Sequence, residues 1–199
     1  EIIDVMKRQP KICNYLDIPL QHASDNILMA MKRQITQQQT RELIQEVRRR
    51  IPEIAIRTTF IVGFPGETEE DFEQLCDFVK DMRFERLGVF QYSHEEDTSA
   101  FLQEDNVPEE IKAERANTLM AIQQEISLEL NQEKIGKTFK VLVDRLEGGF
   151  YYGRTEFDSV EVDNEVILDA SQNYCSIGGF CNVVIDDATE YDLIGHVVH

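Results

Sequence analysis

Positive charge is scarce in this sequence, with 20 lysines and arginines against 38 aspartates and glutamates and a formal net charge of −18. A field of that sign opposes contact with a phosphate backbone and argues against nucleic-acid binding, whereas it attracts a basic protein partner. The same acidity also keeps an ordinary cytoplasmic protein soluble. No apolar run reaches membrane-spanning length and no signal peptide is recognisable, so no membrane segment is expected and a cytoplasmic location is. Cysteine is sparse as well. Cys13, Cys76, Cys175 and Cys181 are dispersed, none in a CxxC, and only Cys175 and Cys181 lie close in sequence, around Gly178-Gly179. That pair lacks partner ligands, so structural cysteines in a reducing compartment are expected rather than a metal site. His22, His94, His196 and His199 have no second ligand at metal spacing either. Surface or structural roles are expected for them, with His22 set apart by its place in a motif.

What the chain does contain is organised around Arg57-Thr58-Thr59-Phe60-Ile61-Val62-Gly63-Phe64-Pro65-Gly66-Glu67-Thr68. From Ile54 to Val62, β-branched and apolar residues fall on both faces of an extended segment, as in a parallel sheet covered by helices. Gly63 and Gly66 flank Phe64-Pro65, permitting a sharp turn and a close approach of backbone to a ligand. Thr68, with Asp71 three residues on, marks a helix N-cap. Strand, glycine turn and helix N-terminus in succession put the turn at the carboxyl end of a strand, where α/β folds keep their ligands. An ordinary tight βα connection has the same pattern.

The 199 residues suffice for one full core and a small second domain. Glu1 to Lys11 has the spacing of an amphipathic helix with neither N-cap nor preceding strand, as a fragment beginning in mid-architecture would. Tyr15 to Leu20 predicts a strand ending in the polar Gln21-His22-Ala23-Ser24. Ser24 is the expected N-cap of a helix carrying Ile27, Leu28 and Met31. Thr36 and Gln39 form a capping box for a helix carrying Leu43, Ile44, Val47 and Ile51, with Arg48-Arg49-Arg50 as solvated cations at its C-terminus. A helix from Glu69 is expected to bury Phe72, Leu75, Phe78 or Val79, and Met82, ahead of a strand from Arg86 to Tyr92. The β, α, β, α, β order predicts a parallel sheet with right-handed crossovers. Ser93 to Val107 is an acidic loop at the ligand end of that sheet. A long helix runs over 108–134, with Ile111, Leu119, Ile122, Ile126 and Leu130 at helical spacing, and Gly136 ends it. Beyond it the period changes to short strands at 138–143, 150–155, 160–168, 181–185 and 193–198, a small all-β barrel. The fold class is α/β followed by all-β, with the boundary near Gly136. The second part carries 4 basic and 12 acidic residues.

Four blocks together resemble the methylthiotransferase branch of the radical S-adenosylmethionine enzymes. They are Asp17-Ile18-Pro19-Leu20-Gln21-His22-Ala23-Ser24, Met31-Lys32-Arg33, the Arg57 to Thr68 stretch, and Tyr92-Ser93-His94-Glu95-Glu96-Asp97-Thr98. The closing β domain resembles the TRAM domain. The resemblance covers essentially the whole chain. It implies the C-terminal part of a parallel (βα) radical-SAM partial barrel in residues 1–135, including the connecting helix, and an OB-like TRAM barrel in 136–199. Two subfamilies share these blocks, one acting on a transfer RNA base and one on an aspartate of ribosomal protein S12. The tRNA enzymes carry Gln-Ser-Gly-Ser where this chain has Gln21-His22-Ala23-Ser24, and Thr-Asp where it has Thr58-Thr59. Both differences, and the acidic β domain, point to the ribosomal-protein enzyme. The tRNA enzyme and a pure docking module are the alternatives. The chain departs from the family in carrying Asp97 where a glycine precedes the threonine of the last block, and in the spacing of Thr59 and Glu67 about the glycine turn.

In that family an iron–sulfur cluster binds S-adenosylmethionine and breaks its sulfonium bond, and the adenosyl radical takes a hydrogen from the β-carbon of the aspartate. An auxiliary cluster supplies the sulfur of the methylthio group. This sequence holds neither the CxxxCxxC ligands of the first cluster nor the three cysteines of the second. The resemblance therefore implies two [4Fe–4S] clusters with ligands outside the chain, no catalytic residue within it, and no activity of the 199 residues alone. Within the chain it implies that the Gly63, Gly66 and Glu67 turn lies against the adenine and that Phe90 and Tyr92 stack there. It further implies that Gln21 and Arg57 contact ribose or carboxylate, and that Glu95, Glu96 and Thr98 meet the substrate. Core packing is the competing role for Phe90 and Tyr92, and a structural ion pair for Arg57. A barrel lacking its first strands leaves open edges, from which self-association is expected.

Overall fold

The computed structural model describes residues 1–198; His199, one of the four histidines considered above, lies outside them. By packing, the chain divides into two units, Leu16–Gln123 and the remainder.

In the first unit, β1 (Tyr15–Asp17), β2 (Ala55–Val62) and β3 (Arg86–Gln91) lie side by side in that order. After α1 (Ile2–Arg8), shorter than the helix expected over Glu1 to Lys11, the helices α2 (Asp25–Ala30), α3 (Gln37–Arg50) and α4 (Glu69–Met82) fall between the strands in sequence. β2 and β3 pair in parallel, with Arg57 opposite Arg86 and Ile61 opposite Phe90. The run from β1 continues to Gln21, whose N–H donates to the Thr59 carbonyl and whose carbonyl accepts from Ile61. One face of β2, Ile56, Thr58, Phe60 and Val62, is completely buried. Phe60 meets Phe78 of α4 and Phe84 edge-on, with ring centroids 6.3 and 6.0 Å apart. The opposite face, Arg57, Thr59 and Ile61, is only half-buried, so the strand is covered by helices on one side and not on both. β1 and β3 are the outer strands of this three-stranded sheet.

The local signals at helix starts hold at Thr36 with Gln39 and at Thr68 with Asp71, both reciprocal capping boxes. Ser24 stands at the N-cap of α2 without capping it; its hydroxyl donates instead to Asp71 Oδ1 at 2.5 Å. Arg48 is not a solvated cation. It donates to the Met82 and Arg83 carbonyls at the end of α4 and to Glu85, satisfying carbonyls that the helix leaves open. Leu43 faces outward.

Asp71 ties three elements together and carries a consequence for acid stability. Burial pushes its carboxyl up, but the Ser24 and Thr68 hydroxyls, the Thr68 amide and the Asn26 side chain outweigh burial and hold it below its ordinary value. A depressed carboxylate contributes stability that is fully present above its unfolded pKa, about 3.9, and is lost as pH falls through the folded value. Asp71→Asn is accordingly expected to flatten the acid limb of the urea midpoint plotted against pH. An unchanged limb would assign acid sensitivity to other carboxylates.

The long helix α5 (Glu109–Gln132) buries an unexpectedly polar stripe, with Lys112, Arg115 and Gln123 beside Leu119. Ile111 and Ile122, taken from the spacing as core residues, are half-buried. Gln123 donates to the Phe84 carbonyl at 2.9 Å.

In the second unit β4 (Thr138–Glu147), β5 (Phe150–Arg154), β6 (Val166–Asp169), β7 (Phe180–Ala188) and β8 (Leu193–Val198) close a barrel in the order β4-β5-β6-β8-β7. Val141, Val143, Val166, Leu168, Val183 and Ile185 fill it. The strand expected over 160–168 begins only at Val166, because the residues before it are held in turns by Thr155 to Asp158 and by the Ser159 amide to Asp163. Cys175 and Cys181 are free, Sγ to Sγ 3.7 Å, and burial pushes the Cys181 thiol up to about 12. The last turns of α5 pack with this unit, Ser127 and Asn131 donating to the Glu190 and Thr189 carbonyls. The packing boundary thus falls at Gln123, while the change of hydrophobic period falls near Gly136. Among the described residues no helix is long and apolar enough to cross a membrane.

Candidate functional site

Past the carboxyl ends of β2 and β3 lies a cavity of about 420 Å³. The strand register builds it. Ile61 and Phe90 are partners across β2 and β3 and fall on the face that the helices leave uncovered. Phe90 is 62% exposed. Tyr92, beyond the strand, is held by its N–H to the Val62 carbonyl and folds inward, meeting Phe64 edge-on with centroids 5.1 Å apart. With Ile27 these two rings form a buried floor. Lys112 Nζ sits 5.4 Å from the Tyr92 ring centre. Burial and the Asp105 carboxylate push the Tyr92 phenol above its ordinary value despite Lys112, so it remains a neutral hydroxyl, bonded to His94 Nδ1 at 3.2 Å. Gln21 supplies a polar wall from a backbone with φ of 75°. Met31 and Arg33 close another side, and the acidic loop gives a rim of Ser93, Glu95 and Thr98. The Thr98 hydroxyl donates to the Glu95 carbonyl and accepts the Phe101 N–H, which shapes that rim.

Five of the residues named from sequence therefore meet at the cavity: Gln21, Phe90, Tyr92, Glu95 and Thr98. The other five do not line it. Gly63 and Gly66 have the left-handed φ values that their turn requires, 74° and 84°. The close approach at Gly63 is that of Lys112, however, whose Cγ would lie 2.3 Å from an added Cβ. Gly66 N–H donates to the Asn106 side chain at 2.8 Å. Glu67 turns its carboxylate inward, accepting from the Gly63 and Phe64 amides at 2.7 and 3.2 Å and from Arg115 at 2.9 Å. The turn thus braces Phe64, which is the residue of Gly63 to Glu67 that lines the cavity. Arg57 lies on the same sheet face as Ile61 but about 13 Å nearer the amino end of the strand, with Asp17 Oδ2 3.7 Å from its Nε. Glu96 is exposed and outside the lining.

Reading by residue type missed Ile61 and Phe64, which sit inside the motif but look like core, and Lys112 and Arg115. Period-2 counting from Arg57 places Ile61 on the open face. Nothing local marks the two α5 cations. Among the described residues no group of three histidines, cysteines or carboxylates is arranged to hold a metal.

Residues 1–79 match the radical SAM superfamily and residues 135–198 match the TRAM domain. A ribosomal protein uS12 methylthiotransferase RimO of Flavobacterium johnsoniae is 55% identical over 195 residues, which is 98% of this chain and 45% of that protein. The protein of the same description from Christiangramia forsetii is 56% identical over 195 residues, 98% of this chain and 43% of that protein. The chain thus spans less than half the length of these relatives. Coproporphyrinogen III oxidase (HemN) from Escherichia coli, a radical SAM enzyme, matches 78% of this chain and 43% of its own at 15% identity with a TM-score of 0.54, a likeness of fold. With one match over residues 1–79, which takes in β1 and β2 but not β3, another on the barrel, and this identity along nearly all of its length, the chain belongs to the radical S-adenosylmethionine methylthiotransferase family.

Proposed function

We propose that this chain is part of an enzyme that methylthiolates the β-carbon of an aspartate in ribosomal protein S12, and that its cavity receives the adenosine portion of S-adenosylmethionine. The observation that carries the cavity reading is Phe90, a large aromatic 62% exposed on the open sheet face opposite Ile61. Core packing does not account for a ring placed there. The volume, about 420 Å³, suits a nucleoside-sized ligand, with apolar walls and few polar groups as such sites have.

When bound, S-adenosylmethionine supplies the sulfonium bond whose reductive cleavage begins the radical chemistry. The chain's own residues bind and orient it. The Phe90 face stacks on the adenine and Ile61 backs it. The Gln21 amide, both donor and acceptor, serves the ribose hydroxyls. Phe64 and the neutral Tyr92 keep the floor apolar and dry. In this reading the [4Fe–4S] clusters take their ligands from the part of the enzyme outside these 199 residues. Purified alone, the 199 residues are expected to be colourless and inactive, and stoichiometric iron would contradict this.

The acidic loop, with Glu95 and Thr98 at the cavity rim and the exposed Glu96 beside them, faces the substrate in this reading. S12 is a basic protein, and a barrel with 4 basic and 12 acidic residues favours it over RNA. The reaction belongs to the cytoplasm, where its ribosomal substrate is made. Binding of the chain to S12 and to an anticodon-stem RNA, compared at the same salt, tests this; RNA binding without S12 binding would favour the tRNA enzyme.

Phe90→Ala in the full-length holoenzyme is expected to weaken S-adenosylmethionine binding by about tenfold to a hundredfold, the worth of one base–aromatic stack. Calorimetric titration measures it, and an unchanged affinity would remove the adenine from this wall.

A further inference from the structure

His22 is 1% exposed and is not among the residues lining this cavity, yet it is placed between two elements that do line it. Its Nδ1 accepts the Ser24 amide N–H at 2.9 Å, which puts the proton of the neutral ring on Nε2. That nitrogen has no partner at hydrogen-bonding distance, and Glu67 Oε2 lies 3.6 Å from it. The same oxygen accepts the Gly63 and Phe64 amides, while Arg115 holds the other. A buried N–H without an acceptor is destabilising, and a carboxylate is the strongest acceptor available to it. Two positions on, Ser24 makes a parallel tie to Asp71. The Gln21-His22-Ala23-Ser24 segment therefore faces the glycine turn and the start of α4 through two carboxylates.

The neighbours of this contact are the cavity walls. Gln21 precedes His22 and holds a left-handed φ of 75°, a conformation that a non-glycine residue keeps only when its surroundings enforce it. Phe64 is one of the two residues whose amides Glu67 binds, and it forms part of the floor.

We propose that His22 is a positioning residue, its Nε2–H coupling the Gln21 strand end to the Glu67-held Gly63-Phe64 turn and so fixing two walls of the cavity relative to each other. The coupling itself needs no cofactor; its consequence for nucleoside binding rests on the function proposed above.

Three measurements on the full chain test it. In the unaltered protein, imidazole ¹⁵N shifts are expected to show His22 protonated on Nε2 with a slowly exchanging proton; an Nδ1-protonated ring overturns the proposal. His22→Gln keeps a donor near the Nε2 position, whereas His22→Asn reaches only as far as Nδ1. Hydrogen exchange at the Gly63 and Phe64 amides is expected to quicken about tenfold in His22→Asn and to stay within about threefold in His22→Gln, with the β2 amides of Phe60 and Val62 unchanged. Unchanged exchange at Gly63 and Phe64 in His22→Asn, or an equal rise throughout β2 in both variants, would make His22 an ordinary core residue and overturn the proposal. Affinity for S-adenosylhomocysteine is expected to follow the same order, falling about tenfold in His22→Asn alone. If exchange responds as expected and the unaltered chain does not bind S-adenosylhomocysteine, the coupling stands and the cavity's assignment to the nucleoside falls.

Discussion

Replacing Glu67 by alanine is expected to cost about 3 kcal/mol of stability, the low end of the penalty for breaking a buried ion pair. The Glu67 carboxylate is completely buried and collects the Gly63 and Phe64 amides as well as Arg115, whose own side chain is 8% exposed. Truncation leaves two amides and part of a guanidinium inside the protein without an acceptor. The loss is held near the low end because Arg115 keeps Glu69, an exposed carboxylate 3.2 Å away that contributes little by itself. Arg115→Ala should cost less than Glu67→Ala, since Glu67 would still hold both amides. Urea unfolding of the two variants gives the comparison. A loss below about 1 kcal/mol for Glu67→Ala would mean that the turn is held by something other than this carboxylate.

The second large effect is on binding. Ile61→Trp is expected to weaken S-adenosylmethionine binding by about a hundredfold or more, about 2.7 kcal/mol, while leaving the fold intact. Ile61 points from the uncovered face of β2 toward the cavity, opposite Phe90, so the added indole has room only where the adenine is proposed to lie. Its neighbour makes the contrast. Phe60 is fully buried against Phe78 and Phe84 on the other face, and Phe60→Ala should lose about 3–5 kcal/mol of stability through the cavity it leaves in the core. Adjacent residues on one strand thus separate the two roles. Titration of the holoenzyme with S-adenosylmethionine, alongside thermal unfolding, reads both. Full affinity in Ile61→Trp would place the ligand elsewhere.

What the sequence shows here is what is local. The alternation in β2, the capping boxes at Thr36 and Thr68, the glycine turn and four of the five barrel strands each depend on residues within a turn or a strand of one another, and each lies about where residue type and spacing put it; the strand expected from 160 starts only at Val166. The partners of the turn are not local. Glycine at position 63 looks like room for a ligand until Lys112, on a helix far along the chain, is found against it. Glu67 looks like a site carboxylate until Arg115 draws it inward. Ser24 had two acceptable uses for its hydroxyl, and the Asp71 carboxylate is the stronger attraction. Arg57 is a different case. Alternation puts it on the same face as Ile61, four residues and about 13 Å nearer the amino end of the strand.

The most direct test is the crystal structure of the full-length holoenzyme with S-adenosylhomocysteine bound. The adenine is expected on the open sheet face, stacked on Phe90 and backed by Ile61, above the Phe64 and Tyr92 floor, with the ribose beside Gln21. A nucleoside found lower on the sheet, against Arg57 and Asp17, or away from β2 and β3 altogether, would contradict this assignment.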